Sequence, residues 1–167
     1  MPINPKNSFK MIQRIQSIFL LIASVAAFSM IFLPVWVKVD EAAQTQVLLD
    51  TKKMTYIENG KEKSETNTIA LSILAGLSSI VAMGSLFSYK NRMTQIKLNL
   101  LNSLLLAGTV GLMCYYYADA TQLFNPEDQG KFGIGFFAPM LALICNSLSN
   151  RFIRKDEKLV KSVDRLR

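Results

Sequence analysis

Hydrophobic and polar residues are strongly segregated along this chain. Four tracts contain no Asp, Glu, Lys or Arg, and each is 19 to 23 residues long: 15–37, 68–89, 98–118 and 132–150. An α-helix rises about 1.5 Å per residue, so about 20 apolar residues cross the roughly 30 Å hydrocarbon core of a bilayer. Because backbone polar groups in lipid must be hydrogen-bonded within the segment, the pattern predicts four transmembrane helices.

The predicted fold class is all-α. We expect residues 1–150 to form a four-helix transmembrane bundle and residues 151–167 to form a cytoplasmic amphipathic helix. The longest polar segment, 38–67, contains Asn59-Gly60, a pair that favours the turn of a β-hairpin because both residues tolerate positive φ. The Asn59-Gly60 pair predicts a small extracytoplasmic hairpin in segment 38–67, the first outer loop, with residues 47–49 as a candidate further strand.

A cleaved signal peptide is the competing interpretation of the first tract. Basic residues precede the tract, and Val25-Ala26-Ala27 resembles a cleavage site. The apolar run nevertheless continues through Leu33, and a mature secreted protein does not normally begin inside such a run. We therefore expect the first tract to remain as a membrane span.

The basic residues predict the orientation. Segments 1–14, 90–97 and 151–167 hold thirteen lysines and arginines, whereas 38–67 and 119–131 hold six. Since basic loops stay in the cytoplasm, we expect both termini to be cytoplasmic in a bacterial inner membrane. The formal net charge of +7 then reflects topology and does not indicate nucleic-acid binding.

Aromatic residues are found near the predicted outer ends of two spans. Trp36 ends the first span, and Tyr115, Tyr116 and Tyr117 end the third. Amphipathic rings prefer the headgroup level, so these residues are predicted to form an interfacial belt. A ligand-binding surface is the alternative for the three tyrosines.

The spans lack the residues that membrane chemistry usually needs. They contain no charge, the chain contains no histidine, and the serines have no base nearby to activate them. Cys114 and Cys145 lie at different predicted depths, so neither a disulfide nor a zinc, haem or iron–sulfur site is expected. The sequence therefore predicts no enzyme, no catalytic or metal-binding residue and no cofactor.

Small and amide side chains recur at a spacing of four within the spans. Such a spacing places side chains on one helix face, where small ones let two backbones approach. Asn99, Asn102 and Asn146 are expected to hydrogen-bond between helices, each contributing about 0.6–2 kcal/mol. The alternative is a polar substrate path, to which a kink at Pro139 would contribute. The predicted helix-packing residues are Ser72, Gly76, Asn99, Ser103, Ala107, Gly111, Ala138, Ala142 and Asn146.

The C-terminal tail has an apolar face and a basic stripe on opposite sides of a helix. Only Asp156 interrupts the apolar face. A topogenic anchor lying on anionic lipid and a helix that docks on a partner both require this pattern, and both interpretations stay open. The contact residues are Phe152, Leu159, Val163 and Leu166 on the apolar face, with Arg154, Lys158, Lys161 and Arg165 opposite.

Two stretches carry a family resemblance. They are Met11-Ile12-Gln13-Arg14-Ile15-Gln16 and the terminal run from Ile153-Arg154-Lys155 to Arg165-Leu166-Arg167. The chain resembles the four-helix membrane proteins of Bacteroidota grouped as domain-of-unknown-function family 4293, over nearly its whole length from Met11. The resemblance implies a four-span topology and an inner-membrane location. It implies no activity and transfers no catalytic residue.

Two functions remain open after these exclusions. The first is a non-catalytic accessory or scaffold subunit of a larger membrane complex, whose partners are the lipid bilayer and other membrane proteins. The alternative is a small-molecule or lipid transporter or channel that uses the polar residues between the helices.

Overall fold

The computed structural model describes residues 5–40, 44–89, 91–122 and 130–164, and side chains within 15–40, 44–89, 91–121 and 130–158. These ranges contain four long helices and five strands. The helices are α1 (Pro5–Ser29), α2 (Ile69–Phe87), α3 (Arg92–Gln122) and α4 (Ile134–Asp164), and a 3₁₀ turn, Met30–Phe32, extends α1. The strands are β1 (Trp36–Asp40), β2 (Thr45–Leu49), β3 (Lys53–Glu58), β4 (Lys61–Asn67) and β5 (Lys131–Phe132).

The helices form a four-membered ring. Each helix packs on its neighbour in the chain, and α1 also packs on α4. All four are long and apolar enough to cross a membrane, as the four uncharged tracts predict. Buried side chains recur at alternating spacings of three and four, which directs one stripe of each helix to the ring centre. On α2 this stripe is Leu71, Ala75, Ser78, Ala82 and Ser85, and on α3 it includes Asn99, Asn102, Leu106, Thr109 and Met113.

The prediction of an all-α fold is wrong, because a five-stranded antiparallel sheet stands on one end of the bundle and makes the fold mixed α/β. The strand order is β4-β3-β2-β1-β5. The Asn-Gly hairpin is present as β3 and β4, with positive φ at Asn59 (52°) and Gly60 (71°). Residues 47–49, the candidate further strand, lie in β2.

The strands β1 and β5 account for the error. Their residues Trp36, Val37 and Phe132 were assigned to the ends of spans because no charge separates them from the apolar tracts. Pro34 follows the 3₁₀ turn and has no backbone N–H to continue a helix. The chain therefore leaves α1 as a strand, and β5 pairs with it in the register Trp36↔Phe132 and Val37↔Lys131.

Trp36 is a core residue, which corrects its predicted place in an interfacial belt. Only 1% of the side chain is exposed, and its ring meets Tyr117 edge-on with centroids 5.4 Å apart. Gly130 packs so closely on the indole that an added Cβ would lie 2.4 Å from Trp36 Cζ2. Tyr115 is exposed, and its belt position stays a prediction.

The fourth helix does not end at residue 150, where the sequence predicts the boundary between the bundle and the tail. Helix α4 continues from Ile134 to Asp164, and Pro139 lies inside its second turn. The first part of the predicted tail is thus an extension of the fourth helix.

Candidate functional site: a polar network within the bundle and grooves along the first helix

A buried chain of hydrogen bonds joins three helices. Ser78 Oγ on α2 donates to Asn102 Oδ1 on α3 at 2.6 Å, and Asn102 Nδ2 donates to Asn146 Oδ1 on α4 at 3.2 Å. All three side chains are fully buried. Buried amides and hydroxyls stabilise a structure only when they are paired, so these bonds specify how the three helices align.

The network continues along α3 through Asn99. Asn146 Nδ2 donates to the Asn99 carbonyl at 2.7 Å and to Ser103 Oγ at 2.8 Å, while Ser85 Oγ donates to Asn99 Oδ1 at 2.5 Å. Asn99 Nδ2 is buried and has no hydrogen-bond partner among the described residues. The structure therefore brings together the three predicted asparagines and Ser103, with two serines of α2 that the sequence did not single out.

Helix α1 joins the bundle through a different pair. Ser24 Oγ donates to the Ser79 carbonyl, and Ser79 Oγ donates to the Ser24 carbonyl, both at 3.1 Å. Small side chains of α1, including Ala23 and Ala27, form a core with Ala142 of α4. This close approach of small residues is typical of helix contacts in lipid.

The predicted small-residue stripe divides in two. Ala138 and Ala142 are buried, Ser72 donates to the Thr51 carbonyl at 2.9 Å, and Gly76 faces Ile31. In contrast, Ala107 and Gly111 are exposed, and an added Cβ on Gly111 would meet no atom within 4 Å. The part of the stripe that follows Ser103 is thus on an exposed face of α3, whereas the buried positions here are Leu106, Thr109 and Met113.

An ion pair that the sequence analysis missed lies at the opposite end from the sheet. Asp156 of α4 is 2% exposed, and its Oδ2 lies 2.8 Å from Nη1 of Arg92, the first residue of α3. The same part of α4 packs inward through Ile153 and stacks Phe152 on Phe19, with centroids 5.7 Å apart. Asp156 therefore belongs to the core, which corrects its predicted role as a break in an amphipathic face.

Of the other predicted contact residues in the tail, the structure describes the side chains of only some. Arg154 and Lys158 are exposed. Leu159, Lys161 and Val163 lie in α4, but their side chains are outside the described residues, as are Arg165 and Leu166 entirely. Whether they form a lipid-binding or partner-binding face stays a prediction.

Two grooves meet where α1 approaches the sheet. A groove of about 600 Å³ between α1 and α4 is lined almost wholly by apolar side chains. A second groove of about 500 Å³ lies between the 3₁₀ turn and residues 50–53. Leu33 lines both grooves, so the apolar groove and the polar turn adjoin at this residue.

The polar turn is held firmly by the helix ends. Thr51 Oγ1 donates to the Ile31 carbonyl at 3.2 Å, and Thr68 donates through Oγ1 to the Asp50 carbonyl at 2.8 Å. The backbone N–H of Thr68 also donates to the Lys52 carbonyl at 3.1 Å. These bonds fix the backbone from which the Asp50 and Lys52 side chains project.

Charge on the described part of the sheet is mostly paired. Lys53 Nζ lies 3.4 Å from Glu65 Oε1, and the Lys63 ammonium donates to the Glu58 carboxylate. That hydrogen bond and the attraction of Glu58 raise the pKa of Lys63 above its usual range. Within the described ranges, no group of three His, Cys, Asp or Glu side chains has a geometry that could hold a metal ion.

The comparison with protein families finds a match that covers most of the chain. The model of a domain of unknown function, DUF4293, matches residues 12–166. The chain belongs to the DUF4293 family. Because the match includes all five strands, α2 to α4 and α1 from residue 12 onward, the sheet is part of the DUF4293 domain. A search of curated proteins finds no match.

Proposed function

We propose that this DUF4293 protein is a non-catalytic, multi-pass inner-membrane protein that serves as an accessory or scaffold subunit of a larger membrane complex. One observation carries the proposal: Asn99, Asn102 and Asn146 are fully buried and are bonded to neighbouring helices. Intramembrane polar groups that serve transport or catalysis need access to a solute or substrate. Here the amides hold the helices together, as a structural module requires.

The sheet supports the same proposal. The sheet joins strands from two parts of the chain: β1 to β4 lie between α1 and α2, and β5 lies between α3 and α4. The junction is at β1, which pairs with β2 on one side and with β5 on the other. The edge strand β4 is exposed and carries charges of both signs, including Lys61, Glu62 and Lys63. A sheet with an exposed, charged edge strand next to apolar helices suits a subunit that positions other proteins.

A transporter or channel is the alternative function. Its support is the same set of amides together with Pro139. The hydrogen bonds of the network leave only Asn99 Nδ2 unpaired among the network's amide nitrogens within the described residues. A bonded network of this kind supports a solute path less well than it supports a packing role.

The proposal is tested by measuring whether another membrane protein co-purifies with this chain at a constant ratio. Tagged protein expressed at its natural level would be extracted in a mild detergent, separated by size and quantified by mass spectrometry, with an unrelated four-span protein as control. We expect another membrane protein to elute with it at a constant ratio. Elution without such a partner, together with solute uptake by reconstituted vesicles, would favour the transporter.

The proposed orientation has its own test. In a chain with Cys114→Ala and Cys145→Ala, single cysteines would be placed by Lys61→Cys in the hairpin and Ser162→Cys in α4. An impermeant maleimide should label position 61 in cells with a permeabilised outer membrane, and position 162 only after lysis. The reverse pattern would contradict cytoplasmic termini.

A further inference from the structure

The groove between α1 and α4 has the shape and lining of an acyl-chain site. It is an open groove of about 600 Å³, and its walls include Leu21, Val25, Ile134, Phe137 and Leu141. Several of these side chains are exposed large hydrophobics, among them Val25 and Ile134. In a bilayer such a groove lies open to lipid.

The groove meets a pair of opposite charges at the sheet end. Asp50 and Lys52 line the adjoining polar groove, and Leu33 connects the two. Lys52 Nζ lies 6.0 Å from the ring centroid of Phe32, whose side chain is 68% exposed. Among the described residues neither Asp50 nor Lys52 forms an ion pair, whereas the adjacent Lys53 pairs with Glu65.

We propose that the two grooves together bind one molecule of phosphatidylethanolamine from the leaflet on the sheet side. One acyl chain lies between α1 and α4, the Lys52 ammonium binds the phosphate, and the Asp50 carboxylate accepts hydrogen bonds from the ethanolamine ammonium. The inference assumes that the bundle lies in a bilayer, and it does not depend on a partner subunit.

Charge complementarity selects this occupant. A cation and an anion two residues apart match a headgroup that carries one phosphate and one ammonium group. Phosphatidylglycerol offers Lys52 the same phosphate, but its neutral glycerol forms weaker hydrogen bonds with the Asp50 carboxylate than an ammonium group does. Phosphatidylcholine has the two charges but no N–H with which to donate to a carboxylate. A partner's transmembrane helix would fill the apolar groove without using either charge.

The geometry also favours a specific site over general lipid contact. Hydrogen bonds from Thr51 and Thr68 hold the turn on the ends of α1 and α2, so the charged side chains start from a fixed backbone. The cost of ordering the site on binding is thereby reduced.

Lipid titration followed by native mass spectrometry tests the proposal on the full chain in detergent. Phosphatidylethanolamine, phosphatidylglycerol and phosphatidylcholine with identical acyl chains would be compared. We expect phosphatidylethanolamine to bind about tenfold more tightly than either of the others, as expected for loss of one charge-assisted hydrogen bond. Lys52→Ala should lower the affinity for phosphatidylethanolamine about tenfold. Asp50→Asn should lower it to the affinity that the unaltered chain has for phosphatidylcholine.

Matched variants control for charge and for the groove. Lys61→Ala and Glu62→Gln remove the same charges from the exposed hairpin and should leave the binding of phosphatidylethanolamine unchanged. Val25→Trp enlarges an exposed side chain in the groove wall and should weaken all three lipids alike. Thermal unfolding of each variant would verify that it is folded.

Three results would overturn the proposal. The first is phosphatidylglycerol binding as tightly as phosphatidylethanolamine. The second is a folded Asp50→Asn variant that keeps the headgroup preference, or a folded Lys52→Ala variant that binds phosphatidylethanolamine as tightly as the unaltered chain does. The third is photocrosslinking from a benzoylphenylalanine at position 25 that captures a protein, and no lipid, in native membranes.

Discussion

At the sheet end the four helices pack through large apolar side chains, whereas in the other half of the bundle they are joined by amides and hydroxyls. The core at the sheet end includes Trp36, Leu49 and Met113, which are almost completely buried. In the other half, Asn102 and Asn146 occupy equivalent inward positions and bond to each other. The same ring of helices thus uses two kinds of interior.

The surroundings explain the difference. Burial of apolar surface stabilises a structure only when the alternative is exposure to water, and this condition applies where the sheet meets the helix ends. Lipid tails are as apolar as leucine, so in the bilayer location that we propose, close packing and hydrogen bonds must align the helices. The comparison predicts that substitutions at the two ends act by different mechanisms.

The largest effect is expected at the sheet end, from Gly133→Val. A Cβ at this position would lie 2.1 Å from the Pro34 carbonyl oxygen, and the Gly133 N–H donates to the Val35 carbonyl at 2.9 Å. Because backbone atoms cause the clash, it is not relieved by a rotamer change, and we expect a loss of about 3 kcal/mol or more. Thermal or denaturant unfolding in detergent measures it.

Gly111→Ala is the matched control, since a Cβ there meets open space. It should leave stability unchanged or slightly raised, because alanine favours a helix more than glycine does. Equal destabilisation by the two variants would show that the contact of Gly133 with Pro34 is not what holds the sheet end.

The second effect concerns the ion pair at the far end of α4. Asp156→Leu leaves the partly exposed Arg92 without its carboxylate, and we expect a loss of about 2 kcal/mol, less than for a fully buried pair. The double variant Arg92→Leu with Asp156→Leu should recover part of this loss because no unpaired charge remains. A double variant that is less stable than either single one argues against the pair.

A smaller loss is expected inside the bundle. Asn146→Leu removes hydrogen bonds to Asn102, Ser103 and the Asn99 carbonyl, and should cost about 1–2 kcal/mol. The control is Ser147→Leu, which makes the same replacement at an exposed position next to it. If both variants unfold at the same temperature, the network does not contribute to stability.

The smallest effect is expected between α1 and α2. Removing both hydroxyls with Ser24→Ala and Ser79→Ala should reveal a coupling of about 0.6 kcal/mol in a double-mutant cycle. Strict additivity of the two substitutions would mean that the serines allow close approach by their size alone.

What could be predicted from the sequence depended on local signals. The four helices follow from uncharged tracts of sufficient length, and the β3–β4 hairpin follows from Asn59-Gly60. Strands β1 and β5 have no such signal, because Val35-Trp36-Val37 continues an apolar tract and Phe132 begins one. Their pairing is a contact between distant parts of the chain, which periodicity cannot reveal.

The candidate site divides in the same way. The asparagines were predictable because amides within apolar spans need partners. From the sequence, Arg92 is interpreted only as a charge of a cytoplasmic segment, and Asp156 only as a break in the apolar face of the tail. Asp156 nevertheless continues the inward spacing of Cys145, Ser149 and Ile153, which is a signal that the sequence contains. Asp50 and Lys52 lie in a turn with no recognisable motif, and only the fold places them beside the apolar groove.

The pairing of β1 with β5 has a consequence for the biogenesis of the protein. Strand β5 is synthesised only after α3, so the β1 edge lacks its last partner until the first three helices have been made. An unpaired strand edge is a template for association with other chains. Strand β5 leads directly into α4, so the pairing of Trp36 and Val37 and the closure of the helix ring both wait for the same late segment of the chain.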